Sequence, residues 1–211
     1  MQRNFGSAGA FPEASVPLNA EADPDVQLML AVQRGDRSAF ERLFEKHVRA
    51  VVGFAAQFVG TRARAEELAQ DVFLQIYRTR SRYVPSARFT TWLYRMVTNA
   101  CLSEVRRADH RYHVQAGDHL EQHGVDDPGS IPEVATRSSE DALLSQETLS
   151  RLRVVLADLP PQQRAALLLA RLEGLSYDEV ATALACSVSA VKSLIHRATV
   201  TLRDRMQEEQ N

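Results

Sequence analysis

The sequence predicts an all-α protein of two small helical bundles joined by a flexible acidic linker. Three observations predict this fold. Apolar residues recur at spacings of three and four, no alternating β-branched run marks a strand, and the periodicity stops between about residues 109 and 139. The expected parts are a disordered leader at 1–24, a first domain at 25–111, a linker at 112–139 and a second domain at 140–211, the last containing a helix-turn-helix.

The composition indicates a soluble protein of the cytoplasm. The chain has 211 residues, 45% hydrophobic and 25% charged, which is typical of globular domains. No apolar run approaches the roughly 20 residues that a membrane span needs, and the N-terminus lacks the layout of a secretion signal. The two cysteines, Cys101 and Cys186, are far apart, which argues against a disulfide framework or a zinc finger.

The first domain is predicted to contain four helices, at about 25–33, 38–59, 62–80 and 89–107. Asp36 is positioned to cap the second helix, and Pro85 makes the segment before the fourth helix a loop. The apolar stripes expected to face the core are Phe40, Leu43, Phe44, Val48, Val51 and Val52; Leu68, Val72, Phe73 and Ile76; and Phe89, Leu93, Met96, Val97 and Ala100.

The second domain is predicted to end in a helix-turn-helix. Ser176 and Glu179 match a capping box, and the tripeptide "ACS" at 185–187 is a short turn between two helices. Pro161 suits a first helical turn. The helices are expected at about 140–157, 161–172, 177–184 and 189–207.

The outer side of the last helix is polar and basic. In a helix-turn-helix this side enters the major groove, where lysine and arginine suit phosphate or guanine, and serine suits phosphate or a base edge. The alternative is a surface helical hairpin with solvated charges. We call this set the recognition face: Ser189, Lys192, Ser193, His196 and Arg197.

Charge is segregated along the chain although the net charge is only −2. Residues 78–111 hold eight arginines against two acids, whereas residues 112–147 hold eight acids against one arginine. A near-neutral net charge argues against a nucleic-acid binder. The distribution of charge along the chain, however, carries more information than the net charge.

The basic segment "FTTWLYRMVTNACLSEVRR" carries a second candidate nucleic-acid surface. Its aromatic, cationic and amide groups recur three or four residues apart, as a platform for single-stranded bases requires. The alternatives are a tryptophan packed in the core and a solvated asparagine. We call this set the stacking stripe: Trp92, Arg95, Asn99, Ser103 and Arg106.

The segment "EELAQDVFLQIYR" has a polar, acidic outer side above an apolar stripe. It is either a solvated surface or a docking site for a basic partner helix. We call Glu66, Glu67, Gln70 and Asp71 the acidic face.

Together the two halves resemble the extracytoplasmic-function class of bacterial sigma factors, over roughly residues 25–108 and 143–206. Four stretches carry the resemblance: "RGDRSAFERLFEKH", "AEELAQDVFLQIYR", "RFTTWLYRMVTNACLSEVRR" and "LPPQQRAALLLARLEGLSYDEVATALACSVSAVKSLIHRA". The chain departs from the family at Leu194, where an arginine is common, and at Ser103, where part of the family has asparagine.

The resemblance implies roles for the three surfaces. Glu67, Gln70 and Asp71 would bind core RNA polymerase at the β′ clamp helices, and the second domain would meet the β flap. The recognition face would read the −35 element of promoter DNA. The −10 element would be held by Arg88, Trp92, Arg95, Asn99, Ser103, Arg106 and Arg107. An anti-sigma factor is a further expected partner. The acidic linker would thread the RNA exit path as an RNA-like polyanion, or would be a plain solubilising spacer.

Other functional classes are less well supported. No HExxH, Ser/His/Asp pattern or phosphate-binding glycine loop is present, so we expect neither an enzyme nor a cofactor. Four histidines around the linker could suggest a metal site, but their flexible spacing disfavours it. These are His110, His113, His119 and His123. The rivals are an ordinary helix-turn-helix regulator and a decoy that binds polymerase but not DNA.

Overall fold

A computed structural model describes residues 22–115 and 151–208, and every regular element within these ranges is helical. The expected all-α fold of two helical domains is confirmed. The helices of the first domain are α1 (Pro24–Gln33), α2 (Arg37–Val59), α3 (Arg62–Thr79), a 3-10 turn at Arg80–Arg82, and α4 (Phe89–Gln115). Those of the second are α5, described over 151–158, α6 (Pro161–Arg171), α7 (Tyr177–Leu184) and α8 (Val188–Glu208).

Short polar side chains start the helices of the first domain. The Asp36 carboxylate accepts a hydrogen bond from the backbone N–H of Ala39 at 3.1 Å, so the predicted cap is confirmed. Asp23 caps two helices at once. One oxygen accepts from the N–H of Asp25 and the other from the N–H of Phe89, both at 3.0 Å. Asp23 therefore fixes the start of α1 against the start of α4.

Helix α4 is longer than the sequence predicted. The helix expected to end at about residue 107 continues to Gln115, because no glycine or proline interrupts it there. Residues 112–115, which we expected to open the linker, are therefore helical. The rest of the predicted linker and the leader up to residue 21 lie outside the described residues.

Apolar stripes of α2, α3 and α4 form the core of the first domain. All four predicted positions on α3 are buried, and so are four of the five on α4; Met96 is half-buried. Of the six predicted positions on α2, two are buried, Leu43 and Val51, and the other four are half-buried. Phe40 and Phe44 are among these four and lie at the edge of the core. They pack against the rings of Tyr77 and Phe73 at centroid distances of 5.1 and 5.0 Å. The C-terminal half of α2 adds three further buried residues to the core, Phe54, Ala55 and Phe58.

A buried carboxylate joins α3 to α4. Glu104 accepts hydrogen bonds from Arg64 at 2.6 Å and from Arg107 at 2.8 Å. Burial by itself would raise the pKa of Glu104, but the hydrogen bonds and charges of the two arginines outweigh it, and the pKa lies below its usual value. The carboxylate is therefore charged and paired at neutral pH.

The helix-turn-helix follows the predicted local signals. The Ser176 hydroxyl accepts from the N–H of Glu179 at 3.3 Å, and the Glu179 carboxylate accepts from the N–H of Ser176 at 2.8 Å. This is the predicted capping box. The turn begins at Ala185, the one described residue other than glycine with a positive φ, 52°. A left-handed backbone at alanine is strained.

Replacing Ala185 with glycine is expected to stabilise the second domain by about 0.5–1 kcal/mol, because glycine adopts this backbone without a Cβ penalty. Urea denaturation followed by circular dichroism measures the change. The matched control is Ala183→Gly, at a buried position inside α7, which should destabilise the domain by about 1 kcal/mol. Loss of stability in Ala185→Gly would show that the turn is not strained.

The two domains contact each other. Helix α4 packs against α7 and α6, and the buried apolar residues of both domains form one continuous cluster. No helix in the two described ranges is both long and apolar enough to cross a membrane.

Candidate nucleic-acid and protein interfaces

The recognition face is fully presented on α8. Val191, Ile195 and Ala198 bury the inner side of this helix against the second domain. All five predicted residues on the outer side are exposed. A shallow open groove there is lined by Lys192, Ser193, His196 and Arg197.

The cations of the recognition face are available to a ligand. Among the described residues, no carboxylate lies within ion-pair distance of Lys192 or Arg197. Within the part of the chain that the structure describes, the serines bond to near neighbours in the sequence. The Ser189 hydroxyl lies 2.9 Å from that of Ser187, and Ser193 donates to the carbonyl of Ser189 at 3.0 Å. Two free cations beside two hydroxyls suit a DNA backbone and base edges.

The stacking stripe runs along one side of α4, and its members differ in exposure. Asn99 and Arg106 are exposed, whereas Trp92, Arg95 and Ser103 are half-buried. The indole of Trp92 packs edge-on against Tyr83 at 4.9 Å and lies 5.9 Å from the ring of Phe89. The ring is thus anchored in the core on one side while part of it stays accessible.

The basic end of α4 forms a second shallow depression, lined by Ser103, Arg106, Arg107 and Arg111. Arg106 donates to the hydroxyl of Ser103 at 3.1 Å, and Arg107 is held by Glu104. The structure adds Arg111 to the predicted set. Arg111 lies four residues after Arg107, a spacing that would place both on one side of a helix. We did not predict it because we expected the helix to end at about residue 107.

Arg88 lies apart from the basic end, at the start of α4. Its side chain is 60% exposed, and one guanidinium nitrogen is 3.6 Å from the carboxylate of Glu179 in the second domain. Arg88 therefore faces both the solvent and α7.

The acidic face lies on the outer side of α3. Glu67 and Gln70 are exposed, and Asp71 is half-buried. Glu67 accepts a hydrogen bond from Arg64 at 2.6 Å. Sequence reasoning missed Leu74, which is 44% exposed and lies four residues after Gln70 on the same side. Leu74 therefore adds one apolar side chain to the exposed part of the acidic face.

The three surfaces lie on three different helices, α3, α4 and α8. Within residues 22–115 and 151–208 no group of three or more histidine, cysteine, aspartate or glutamate side chains could hold a metal ion. Cys101 is buried and Cys186 is half-buried, and both are free thiols. The side chains of the four histidines around the linker lie outside the described residues.

Comparison with known families gives two matches along the chain. Residues 43–111 match the model of Sigma-70 region 2, and residues 149–202 match that of Sigma-70, region 4. Helix α3 and most of α4 fall within the first match, and the helix-turn-helix falls within the second.

Three curated proteins are similar over most of their length. RNA polymerase sigma-H factor of Pseudomonas aeruginosa is 31% identical, over 88% of this chain and 95% of its own. RNA polymerase sigma factor CarQ of Myxococcus xanthus is 33% identical, over 82% and 92%. ECF RNA polymerase sigma-E factor of Escherichia coli is 28% identical, over 87% and 94%.

Two solved structures share the fold. CnrH in complex with the cytosolic domain of CnrY aligns with a TM-score of 0.65 and 22% identity, over 88% of this chain and 99% of that one. The sigma factor RpoE of Bartonella quintana, in complex with the anti-sigma factor NepR, aligns with a TM-score of 0.62 and 20% identity, over 80% and 96%.

Proposed function

We propose a separate role for each of the three surfaces, on the premise that this chain belongs to the extracytoplasmic-function class of the sigma-70 family of RNA polymerase sigma factors. The chain is an alternative sigma factor and not an enzyme. It binds core polymerase, recognises −35 and −10 promoter elements and promotes melting and initiation. It acts on the polymerase in the cytoplasm.

The strongest support for this function is that the two domains carry different candidate DNA-binding surfaces, the recognition face and the stacking stripe. The recognition face carries charged and hydroxyl groups and no tryptophan, tyrosine or phenylalanine, which suits the major groove of a duplex. The stacking stripe holds a partly accessible indole beside an exposed amide, which suits unpaired bases. An ordinary helix-turn-helix regulator needs only the first of these.

The recognition face would hold the −35 duplex. Lys192 and Arg197 are exposed and unpaired among the described residues, so they can neutralise phosphates or bind guanine without first losing an internal partner. Ser189, Ser193 and His196 would contact phosphates or base edges at the same groove.

The stacking stripe would capture the −10 bases of the non-template strand. Trp92 offers a ring held in place by Tyr83 and Phe89, and Asn99 offers an exposed amide one helical turn beyond Arg95. Arg88, Arg106 and Arg107 would follow the phosphates. Because this surface binds unpaired bases better than paired ones, it favours the melted state without ATP.

The acidic face would dock on core polymerase. The basic partner helices of the β′ clamp would meet charged and hydrogen-bonding groups from Glu67, Gln70 and Asp71. We add Leu74 as an apolar contact of this surface with the polymerase. The second domain would meet the β flap. An anti-sigma factor is a further proposed partner. The acidic linker would follow the basic RNA exit path, where a polyanion fits.

The docking role predicts the effect of removing two exposed side chains from α3. Gln70→Ala with Leu74→Ala is expected to weaken binding to core polymerase by about tenfold to a hundredfold, as for contacts at an interface centre. Both side chains are exposed, so folding should be unaffected. Fluorescence anisotropy of the labelled chain, titrated with core polymerase, measures the affinity. The matched control is Glu41→Ala with Arg42→Ala, an exposed pair on α2. Equal affinities for the test pair, the control pair and the wild type would exclude α3 as the docking surface.

A further inference from the structure

We infer that Asp23 and Gln33, at the two ends of α1, position the stacking stripe for capture of the unpaired −10 strand. The inference rests on the proposed role of the stacking stripe and adds to it two positioning residues that act through the backbone of the chain. We call Asp23 and Gln33 the α1 brace. The match to Sigma-70 region 2 begins at residue 43, so it assigns no role to either residue.

Asp23 supplies the start of α4 with a cap that the local sequence lacks. The first N–H groups of a helix have no partner inside it, and a serine, threonine, aspartate or asparagine next to the helix usually accepts from one of them. Arg88, the last residue of the loop at 83–88, cannot do so because a guanidinium has no acceptor. The N–H of Phe89 instead donates to one oxygen of Asp23, 66 residues away in the sequence, at 3.0 Å. The other oxygen caps α1 itself, so both bonds together need a carboxylate.

Gln33 holds the other end of the same loop. Its side-chain amide donates to the carbonyl of Ser81 and to the carbonyl of Tyr83, both at 3.2 Å. Inside the loop, the N–H of Ser86 donates to the carbonyl of Val84 at 2.8 Å. The hydroxyl oxygens of Tyr83 and Ser86 are buried with no hydrogen-bond partner among the described residues. The loop therefore depends on α1 at both of its ends.

The two residues that the α1 brace holds are the two that support the ring of Trp92. This ring lies 4.9 Å from the ring of Tyr83 and 5.9 Å from the ring of Phe89, between centroids. Gln33 fixes the backbone of the first, and Asp23 fixes the backbone of the second. Burial raises the pKa of the Tyr83 hydroxyl, and the nearby charge of Asp23 raises it further. A ring that is already held in place loses less freedom when a base stacks on it, so the base is bound more tightly.

Helix α1 is itself fixed to the rest of the first domain. Three apolar residues on its inner side are fully buried: Val26, Met29 and Val32. The carboxylate of Asp25, a residue that is only 4% exposed, accepts hydrogen bonds from the ammonium of Lys46 on α2 at 2.7 and 2.8 Å. In the loop, by contrast, Val84 is 62% exposed. A packed helix thus holds a loop that has little packing of its own.

The direction of the effect separates positioning from simple electrostatics. Asp23 is an acid close to a surface that we propose binds DNA, so removing its charge would by itself strengthen binding to the anionic strand. If Asp23 positions the stacking stripe, loss of one acceptor oxygen weakens binding instead. Asp23→Asn makes this change, because asparagine keeps one acceptor oxygen and replaces the other with a donor.

The test measures binding of the holoenzyme to a fluorescent single-stranded DNA, the non-template −10 strand of a promoter that the chain transcribes. Asp23→Asn is expected to weaken strand binding about threefold to tenfold and to lower discrimination against a scrambled strand, with unchanged affinity for core polymerase. Asp36→Asn is the matched control. It makes the same change at the cap of α2, where one oxygen bonds to Ala39 and an asparagine caps as well as an aspartate. This control should bind the strand as the wild type does.

The emission of Trp92, the one tryptophan of the chain, gives a second readout that needs neither DNA nor polymerase. Asp23→Asn and, separately, Gln33→Leu should each shift the emission of the free chain, because each releases one of the rings that pack against the indole. Circular dichroism checks that the helices remain folded. Gln33→Leu changes a half-buried residue that caps no helix, so it tests the α1 brace even if Asp23→Asn disturbs α1.

Three results would overturn the α1 brace. The first is strand binding by Asp23→Asn that equals or exceeds that of the wild type, and the second is a Trp92 emission that neither variant changes. The third is an equal loss of strand binding and of core affinity, which would mean that Asp23 only stabilises the domain. If the wild-type chain directs core polymerase to no promoter, the proposed function fails. The emission of Trp92 then decides the α1 brace by itself, so the two failures are distinguishable.

Discussion

Replacing Lys192 and Arg197 together with alanine is expected to lower −35-dependent initiation about a hundredfold while leaving affinity for core polymerase unchanged. Each side chain is exposed and would contribute about 1–3 kcal/mol to a phosphate or guanine contact. The inner side of α8 is untouched, so the domain should fold as before. Abortive-transcript synthesis at a promoter with an intact or a scrambled −35 element measures the loss. The salt dependence of promoter binding should also fall, because two fewer phosphates are neutralised.

The matched control removes the same charge from the same helix. Arg203→Ala with Arg205→Ala changes two exposed arginines of α8 that lie beyond the recognition face. It should leave promoter choice unchanged. If the control pair lowers initiation as much as the test pair, α8 acts through its overall charge and not as a reader of the −35 groove. If the test pair selects promoters as the wild type does, the recognition face does not read the −35 element.

Asn99→Ala is expected to reduce promoter opening by roughly tenfold to a hundredfold, with little effect on the affinity for core polymerase. The amide is exposed on α4, and we propose that it bonds to an unpaired base; such a contact is worth about 1–3 kcal/mol. The measurement is 2-aminopurine fluorescence in the −10 element, recorded as the strands separate.

A pre-melted promoter supplies the control for Asn99. If Asn99 captures bases after they leave the stack, a mismatched bubble over the −10 element should restore much of the lost activity. A parallel loss of polymerase affinity in Asn99→Ala would place this residue in docking or folding and contradict the assignment.

Periodicity and capping signals located the helices well, because they depend on neighbours in the sequence. The stripe of Leu68, Val72, Phe73 and Ile76 is buried as expected, and the capping box at Ser176 forms with both of its bonds. The end of α4 was missed for a related reason. Composition changes at about residue 109, but a helix ends only where a residue or a lost contact stops it, and no glycine or proline does so before Gln115.

Contacts between distant segments could not be predicted from the sequence. Tyr94 and Glu173 are 79 residues apart, and nothing in the local pattern of either one indicates the other. None of Thr91, Tyr94 and Thr98 on α4 was singled out from the sequence, yet all three are buried. Thr91 and Tyr94 hydrogen-bond to glutamates of the second domain. For the same reason the sequence could not decide whether Trp92 packs in the core or is available to stack on a base. Tyr83 approaches the ring from a separate loop and leaves it half-buried.

The ability of this chain to direct core polymerase to promoters can be measured by run-off transcription with purified core polymerase on a library of promoter sequences. Transcripts are expected only when the chain is present, from promoters sharing a −35 and a −10 element at fixed spacing. No transcripts with core polymerase, together with a footprint by the chain alone on a palindromic site, would contradict it and identify an ordinary helix-turn-helix regulator.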